Sequence, residues 1–238
     1  MRRFVFSILI LLYGYSLLAQ NIHLVSVGVS DYPGYQNDLK LPAVDAQSVR
    51  SLYKKNSKTA STYLYTNSRA TKESVLVALK RVASQCKEGD VFTFYFSGHG
   101  YPGGFVLYDD NLTYEEIAEV CALSPAKRKI IFADACFAGG LRDEKPSTIS
   151  IDNDWDLMLL LSSRTDEYSI EGLWDKNGKF TLCLLRSLKG GADTNKDRII
   201  TAKELFIAVR KGVVALTDDQ QHPVMWGNFE DNMPVMIW

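Results

Sequence analysis

The stretch Val91-Phe-Thr-Phe-Tyr-Phe-Ser-Gly-His-Gly100 decides the fold. Its first six residues form a nearly continuous apolar run, and such runs are typical of strands buried on both faces of a parallel sheet. A second run, Lys129-Ile-Ile-Phe-Ala133, has the same character and continues into Asp134-Ala-Cys-Phe-Ala-Gly-Gly140. The two runs predict central parallel strands, each ending in a glycine-containing loop that carries a reactive side chain.

Strand-like and helix-period segments alternate around these two runs, which predicts a three-layer α/β domain. The segment from Thr113 to Leu123 supplies the crossover helix between the two central strands. The other predicted strands are Ile22 to Val29, Thr62 to Tyr65, Leu157 to Leu161 and an edge strand at Met233 to Trp238, and the other predicted helices are Ala43 to Tyr53, Lys72 to Ser84, Lys179 to Leu188 and Ala202 to Leu216.

Composition and charge narrow the classes of function. The chain has 238 residues, of which 46% are hydrophobic and 23% charged, as in an ordinary globular protein of one large domain or two small ones. No interior apolar run reaches the roughly 20 residues of a membrane span, which excludes an integral membrane transporter. The net charge is -1 and no basic tract is present. We therefore expect neither a nucleic-acid partner nor stable membrane insertion.

The first twenty residues have the organisation of a signal peptide. Arg2 and Arg3 are followed by an apolar segment from Phe4 to Leu18, and Ala19 is a small residue suited to the cleavage site. An uncleaved membrane anchor is the alternative, but the apolar segment is short for a membrane span. We expect a signal peptide at residues 1–20, one domain at residues 21–238, and a secreted or periplasmic location.

Cys136 is the cysteine that follows a predicted central strand. The other three, Cys86, Cys121 and Cys183, lie in helix-like stretches, where we expect small buried side chains, with a disulfide between Cys86 and Cys121 left open. If the two central strands are neighbours, His99 and Cys136 face one cleft at their carboxyl ends. A histidine near a thiol lowers the thiol pKa and protonates the leaving amine. The pair therefore predicts acyl transfer.

The two strand-end motifs, Ser97-Gly-His-Gly100 and Asp134-Ala-Cys-Phe-Ala-Gly-Gly140, resemble those of the caspase-like cysteine peptidases, and within them the secreted bacterial metacaspase-like members. Three weaker matches follow the same order along the chain: Val27-Gly-Val-Ser-Asp-Tyr-Pro-Gly-Tyr35, Leu41-Pro-Ala-Val-Asp-Ala-Gln-Ser-Val49 and Ser162-Ser-Arg-Thr-Asp-Glu-Tyr-Ser-Ile-Glu171. The resemblance implies a caspase-hemoglobinase fold, a three-layer sandwich with a mostly parallel six-stranded sheet.

The resemblance also implies the roles of individual residues. Cys136 would be the nucleophile and His99 the general acid and base, and the backbone N–H groups of Gly100 and Cys136 would form the oxyanion hole. Metacaspase-like enzymes recognise arginine or lysine with acidic residues, and Asp45 and Asp134 occupy the two positions that carry this acidity. The expected substrates are peptides or proteins with Arg or Lys before the scissile bond.

Each acidic residue also has an alternative role. Asp45 could be an exposed helix residue, and Asp134 could accept hydrogen bonds within the cysteine loop. Lys40 could instead favour an acidic substrate side chain, although one flexible ammonium is a poor substitute for a bidentate arginine clamp. Because it lies two residues before Cys136, Asp134 is near the cleft in either case.

The segment from Asp193 to Glu204 resembles a twelve-position calcium loop. Arg198 replaces the glycine of position 6, and Gly190 and Gly191 interrupt the entry from the preceding helix. A structural alternative is a helix start, since Thr201 and Glu204 have the spacing of a capping box. Calcium is thus a possible cofactor that the chemistry does not require. The ligands would be Asp193, Asn195, Asp197, Thr201 and Glu204, and the family resemblance offers a second set at Asp109, Asp110 and Asp143.

The segment at residues 141–156 is the most linker-like part of the chain. Arg142 and Lys145 are basic and follow the nucleophile closely, so we expect self-cleavage after one of them. A function from another class is a catalytically idle caspase-like module, secreted as a calcium-dependent binding or scaffold protein. Phe137 departs from the polar residue usual after the nucleophile in the family, but the presence of both His99 and Cys136 favours the enzyme.

Overall fold

The computed structural model describes residues 21–135, 156–163 and 176–238. Its strands in chain order are β1 (Ile22–Gly28), β2 (Thr59–Thr66), β3 (Val91–Gly98), β4 (Gly100–Tyr101), β5 (Gly104–Val106), β6 (Asn111–Thr113), β7 (Arg128–Ala135), β8 (Asp156–Leu161), β9 (Ile199–Thr201), β10 (Val224–Asn228) and β11 (Pro234–Ile237). The α-helices are α1 (Pro42–Lys55), α2 (Lys72–Gln85), α3 (Tyr114–Leu123), α4 (Lys179–Arg186) and α5 (Ala202–Leu216).

A six-stranded sheet forms the centre of the molecule, with the strand order β10-β8-β7-β3-β1-β2. All neighbouring strands are parallel except β10, which runs antiparallel to β8. The predicted central strands β3 and β7 are adjacent and almost wholly buried. The expected mostly parallel six-stranded sheet is therefore confirmed.

Helices cover both faces of this sheet and complete the three layers. One apolar core joins β3 and β7 to α2 and α3, through residues such as Val75 and Ile117. A second core lies on the opposite face and joins the sheet to α1, α4 and α5, through residues such as Val49, Leu184 and Val209. Successive residues of each central strand point alternately into the two cores. Because both faces are buried, the sequences of these strands are nearly continuous apolar runs.

The last strand differs from the sequence-based expectation. Residues Pro234–Ile237 pair with β9 in a separate two-stranded sheet, whereas Val224–Asn228 supply the antiparallel edge of the main sheet. The prediction of an edge strand at Met233 to Trp238 is therefore wrong for the main sheet. The true edge strand contains Gly227 and is half-exposed, so it lacks the apolar pattern that marks the central strands.

The connection between β3 and α3 also contains structure that the sequence did not predict. Strands β4, β5 and β6 form a small antiparallel sheet immediately after His99. In the part of the chain that the structure describes, no helix has the length and apolar character needed to cross a membrane.

Candidate active site

The ends of β3 and β7, which directly precede the two predicted catalytic loops, lie side by side. The strand register pairs Ser97 with Asp134 and Gly98 with Ala135. His99 follows Gly98, and Cys136 is joined to Ala135 by a peptide bond, although Cys136 itself lies outside the described residues. The sheet thus places the residues before His99 and before Cys136 side by side.

The imidazole of His99 is held by two residues of the β1–α1 connection. Its Nε2 atom lies 2.8 Å from the carbonyl oxygen of Asn37, and the ring centroids of His99 and Tyr32 are 4.8 Å apart. Because a carbonyl oxygen can only accept a hydrogen bond, Nε2 carries the proton. In the neutral ring, Nδ1 therefore has the free lone pair, which is the state that a general base needs.

Gly98 allows this arrangement. Its φ angle is +152°, and a Cβ atom at this position would lie 2.6 Å from the hydroxyl oxygen of Tyr32 and 2.9 Å from the ring of Phe96. A side chain at position 98 would displace Tyr32 from His99. On the other side of His99, Gly100 begins β4 and pairs with Phe105. Its role as an oxyanion donor stays a prediction.

Ser162 fixes the backbone of Ala135, the residue before the predicted nucleophile. The Ser162 hydroxyl accepts a hydrogen bond from the Ala135 N–H at 3.1 Å and donates one to the Ala135 carbonyl oxygen at 3.0 Å. The carbonyl oxygen of Ser162 in turn accepts from Nε2 of Gln221 at 2.8 Å. Both side chains are fully buried. Strand β8 ends at Leu161, so it offers no further strand backbone to pair with Ala135. The Ser162 hydroxyl takes the place of those backbone partners.

Asp45 and Asp134 form a buried acidic pair near these strand ends. Their exposed fractions are 1% and 6%, so the alternative of an exposed helix residue is wrong for Asp45. Oδ1 of Asp45 accepts from Nδ2 of Asn177 at 2.8 Å and from the N–H of Gly178 at 3.0 Å. Its Oδ2 accepts from the hydroxyl of Ser97 at 3.2 Å. These contacts fix the carboxylate of Asp45 between β3 and the start of α4.

Asp134 is held by the first turn of α4. Its Oδ2 accepts the backbone N–H of Thr181 at 3.2 Å and the Thr181 hydroxyl at 2.7 Å. The hydroxyl of Tyr95 lies 2.6 Å from the same Thr181 oxygen. Since the Thr181 proton points to Asp134, Tyr95 donates to Thr181. Asp134 thus accepts hydrogen bonds, as the alternative role considered above requires. The donors shown here belong to Thr181 of α4 and not to the cysteine loop.

The two carboxylates influence each other's charge. Burial and the nearby charge of Asp134 raise the pKa of Asp45 to about 8, against the hydrogen bonds from Asn177, Gly178 and Ser97. The pair therefore resists carrying two negative charges at neutral pH. A cation placed between the carboxylates would remove this repulsion.

Comparison with known proteins identifies the family. The model of the caspase domain matches residues 23–233 of the chain. The chain belongs to the caspase domain family. A crystal structure of a protein from Geobacter sulfurreducens superposes with a TM-score of 0.67 at 17% sequence identity, covering 91% of this chain and 99% of that one, which shows a shared fold. A search of curated proteins finds no match.

Membership of the caspase domain family agrees with the six-stranded, mostly parallel sheet. Caspase domains are in general cysteine peptidases, so the chain has a cysteine-peptidase fold, and its family implies protein substrates. Several residues that form hydrogen bonds with His99, Asp45 or Asp134 were not predicted from the sequence. They are Tyr32, Asn37, Asn177, Gly178 and Thr181. The Tyr32 segment was already noted as a family match, which was the available signal for that residue.

The proposed calcium loop of this caspase domain is held by its own hydrogen bonds. Oδ2 of Asp193 accepts the N–H of Arg198 at 3.1 Å, and Arg198 has a φ of +68°, the left-handed conformation usual for glycine. Nδ2 of Asn195 donates to Asp197 at 2.9 Å. The loop thus adopts the turn of position 6 without a glycine.

Glu204, the last predicted calcium ligand, accepts hydrogen bonds from two threonine residues. Its Oε1 accepts from the Thr194 hydroxyl at 2.8 Å, and its Oε2 accepts from the backbone and hydroxyl of Thr201 in a capping box at the start of α5. Among the described residues, no group of three or more His, Cys, Asp or Glu side chains is arranged to hold a metal ion. Calcium binding stays a prediction.

The three remaining cysteines of the caspase domain are buried free thiols. Burial raises the pKa of Cys86 to about 11 and that of Cys121 to about 12. Neither thiol is therefore ionised at neutral pH, and the two are not joined in a disulfide. The predicted cleavage positions Arg142 and Lys145 lie outside the described residues, as does Asp143.

Proposed function

We propose that the chain is a cysteine endopeptidase of the Cys-His dyad type that cleaves after Arg or Lys. The observation that carries this proposal is the buried pair of Asp45 and Asp134 beside the strand ends that precede His99 and Cys136. A buried acidic pair without a catalytic step of its own is suited to binding a cationic side chain.

In the proposed reaction, His99 carries the proton in every transfer step. His99 Nδ1 takes the thiol proton of Cys136, and the thiolate attacks the scissile carbonyl carbon. The N–H groups of Gly100 and Cys136 stabilise the resulting oxyanion. The intermediate collapses to a thioester as His99 gives the proton to the leaving amine. His99 then takes a proton from a water molecule, whose oxygen attacks the thioester carbon. The carbon–sulfur bond breaks to release the carboxylic acid product, and His99 returns the proton to the Cys136 thiolate.

Substrate preference follows from desolvation and charge. A guanidinium or ammonium group that enters a buried site loses its hydration, and a carboxylate at hydrogen-bond distance offsets that loss. Burial, and after it the nearby charge of Asp134, raises the pKa of Asp45, so a second negative charge on the pair is unfavourable. Arginine or lysine at the residue before the scissile bond would relieve this repulsion, whereas an aspartate there would increase it.

The proposal includes a location and a mode of maturation. Residues 1–20 would direct export, which places the enzyme outside the cytoplasm as a metacaspase-like secreted or periplasmic peptidase. Self-cleavage after Arg142 or Lys145 fits the same preference for basic residues. Mass spectrometry of wild type beside Cys136→Ala tests this step, and identical intact masses after long incubation contradict it.

Hydrolysis of matched peptides tests the proposal as a whole. Purified chain from residue 21 onward should cleave peptides with Arg or Lys before the scissile bond, leave the matched aspartyl peptide intact, and lose activity on thiol alkylation. Cys136→Ala should be inactive. Activity that persists in Cys136→Ala, or a preference for the aspartyl peptide, contradicts the proposal. An inactive wild type that fails to react with thiol reagents would favour the idle binding module.

A further inference from the structure

Gly178 lies against both carboxylates of the acidic pair. It is the residue just before α4, and a Cβ atom on it would be 2.7 Å from Oδ2 of Asp134 and 3.1 Å from Oδ2 of Asp45. Real Cβ atoms essentially never approach another atom closer than 3.0 Å. Both oxygens therefore pack directly against the backbone of Gly178, and this close approach is possible only because residue 178 has no side chain.

The need for glycine here is steric and not torsional. The φ and ψ angles of Gly178 are -53° and 150°, which any residue adopts. An alanine would keep this backbone conformation and place a methyl group against both oxygens. The methyl group would push one or both carboxylates out of their present positions.

We propose that Gly178 is a specificity-determining residue, because its missing side chain lets Asp45 and Asp134 act together on one cationic group of the substrate. This inference rests on the proposed function, since it concerns the same pocket. Thr181 has a supporting role in the same turn of α4. Its hydroxyl and N–H fix Oδ2 of Asp134, and its hydroxyl is fixed in turn by Tyr95.

The test compares two peptides that differ in one group, with arginine or the neutral isostere citrulline before the scissile bond. The ratio of their kcat/KM values measures the contribution of charge, and it is independent of the fraction of enzyme that is folded. We expect wild type to favour arginine by about a hundredfold, since loss of one partner of a buried charged pair typically costs tens- to thousandfold. Gly178→Ala should lower this ratio by about tenfold or more.

Gly212→Ala is the matched control. A Cβ atom on Gly212 of α5 would lie 2.8 Å from Sγ of Cys183, so this variant disturbs the packing of α5 on α4 with a similar clash. It should leave the arginine-to-citrulline ratio close to wild type, because the clash involves neither carboxylate. An equal fall of the ratio in both variants would assign the effect to displacement of α4 and overturn the role of Gly178.

A second pair of variants decides the matter if Gly178→Ala is insoluble. Thr181→Val removes the hydroxyl that binds Asp134 and should lower the ratio, whereas Thr181→Ser keeps the hydroxyl and should preserve it. Wild type without a preference for arginine would contradict the proposed function itself. Wild type with the preference, but with an unchanged ratio in Gly178→Ala or, failing that, in Thr181→Val, overturns this inference alone.

Discussion

The hydroxyl of Tyr32 joins the backbone of His99 to a strand of the small antiparallel sheet. It accepts the N–H of His99 at 2.9 Å and donates to the carbonyl oxygen of Val106 at 3.1 Å. Tyr32 is 5% exposed, so water cannot readily replace it. The position of His99, the predicted catalytic histidine, thus depends on a residue 67 positions earlier in the chain.

We expect Tyr32→Phe to impair catalysis more than binding. The variant leaves the His99 N–H without its acceptor, and an unsatisfied buried donor costs about 1 to 3 kcal/mol. The imidazole should then be less well placed, and kcat should fall by about tenfold while KM changes little. Steady-state kinetics with an arginyl peptide measures both. An unchanged kcat contradicts a positioning role for Tyr32.

Ser162→Ala should slow every reaction of Cys136. The variant removes both hydrogen bonds to the Ala135 backbone, so the residue before the nucleophile loses its anchor. We expect slower alkylation of Cys136 by iodoacetamide and a lower kcat, by about tenfold. Ser26→Ala is a matched control, because Ser26 is also a fully buried serine with one hydrogen bond, to the carbonyl oxygen of Ala46. Equal effects in the two variants would show a loss of stability instead.

Asp45→Asn should change how stability depends on pH. In the folded protein the pKa of Asp45 is about 8, raised by burial and by Asp134, whereas an unfolded aspartate has a pKa of about 3.9. Between these values the folded state binds more protons than the unfolded state, so this group lowers the free energy of unfolding as pH rises from 4 to 8.

Urea unfolding at pH 5 and pH 8 tests this sign. Wild type should lose stability over this interval relative to Asp45→Asn, so the variant should gain most at pH 8. The same variant should cleave arginyl peptides less efficiently, which separates stability from function. A pH dependence that is the same in both proteins contradicts the repulsion between Asp45 and Asp134.

Calcium binding at the loop before α5 is tested by titration calorimetry on the metal-free protein. If the loop binds calcium, heat should be released or absorbed at a single site in wild type and should vanish in Asp193→Asn. Asp231→Asn is a suitable control, because Asp231 pairs with Lys203 on the exposed surface nearby. Titrations of wild type that show no heat, together with an unchanged melting temperature in excess calcium, would contradict the prediction.

The central strands could be predicted because their signals are local, whereas the acidic pair was expected from the family resemblance. The apolar runs of β3 and β7 mark buried parallel strands, and both runs lead directly into the reactive loops. The donors that hold Asp45 and Asp134 could not be predicted in this way. Asn177 lies 132 residues after Asp45, and only the packing of α4 on the sheet brings them together.

Short and half-exposed elements were missed for a related reason. The three strands after His99 are two or three residues long, which is too short to show an alternating pattern. The edge strand at Val224–Asn228 is interrupted by Gly227, whereas the more apolar Pro234–Ile237 pairs elsewhere. Local hydrophobicity indicates that a segment forms a strand, but not the sheet to which it belongs.

The most direct test of the account is the rate at which Cys136 is labelled by an arginyl chloromethyl ketone and by its citrulline counterpart. Wild type should react about a hundredfold faster with the arginyl reagent, and Asp134→Asn should lose most of that advantage while reacting with iodoacetamide at the wild-type rate. Equal rates for the two ketones in wild type, or an advantage that survives in Asp134→Asn, would contradict the claim that this caspase domain selects basic residues through its buried acidic pair.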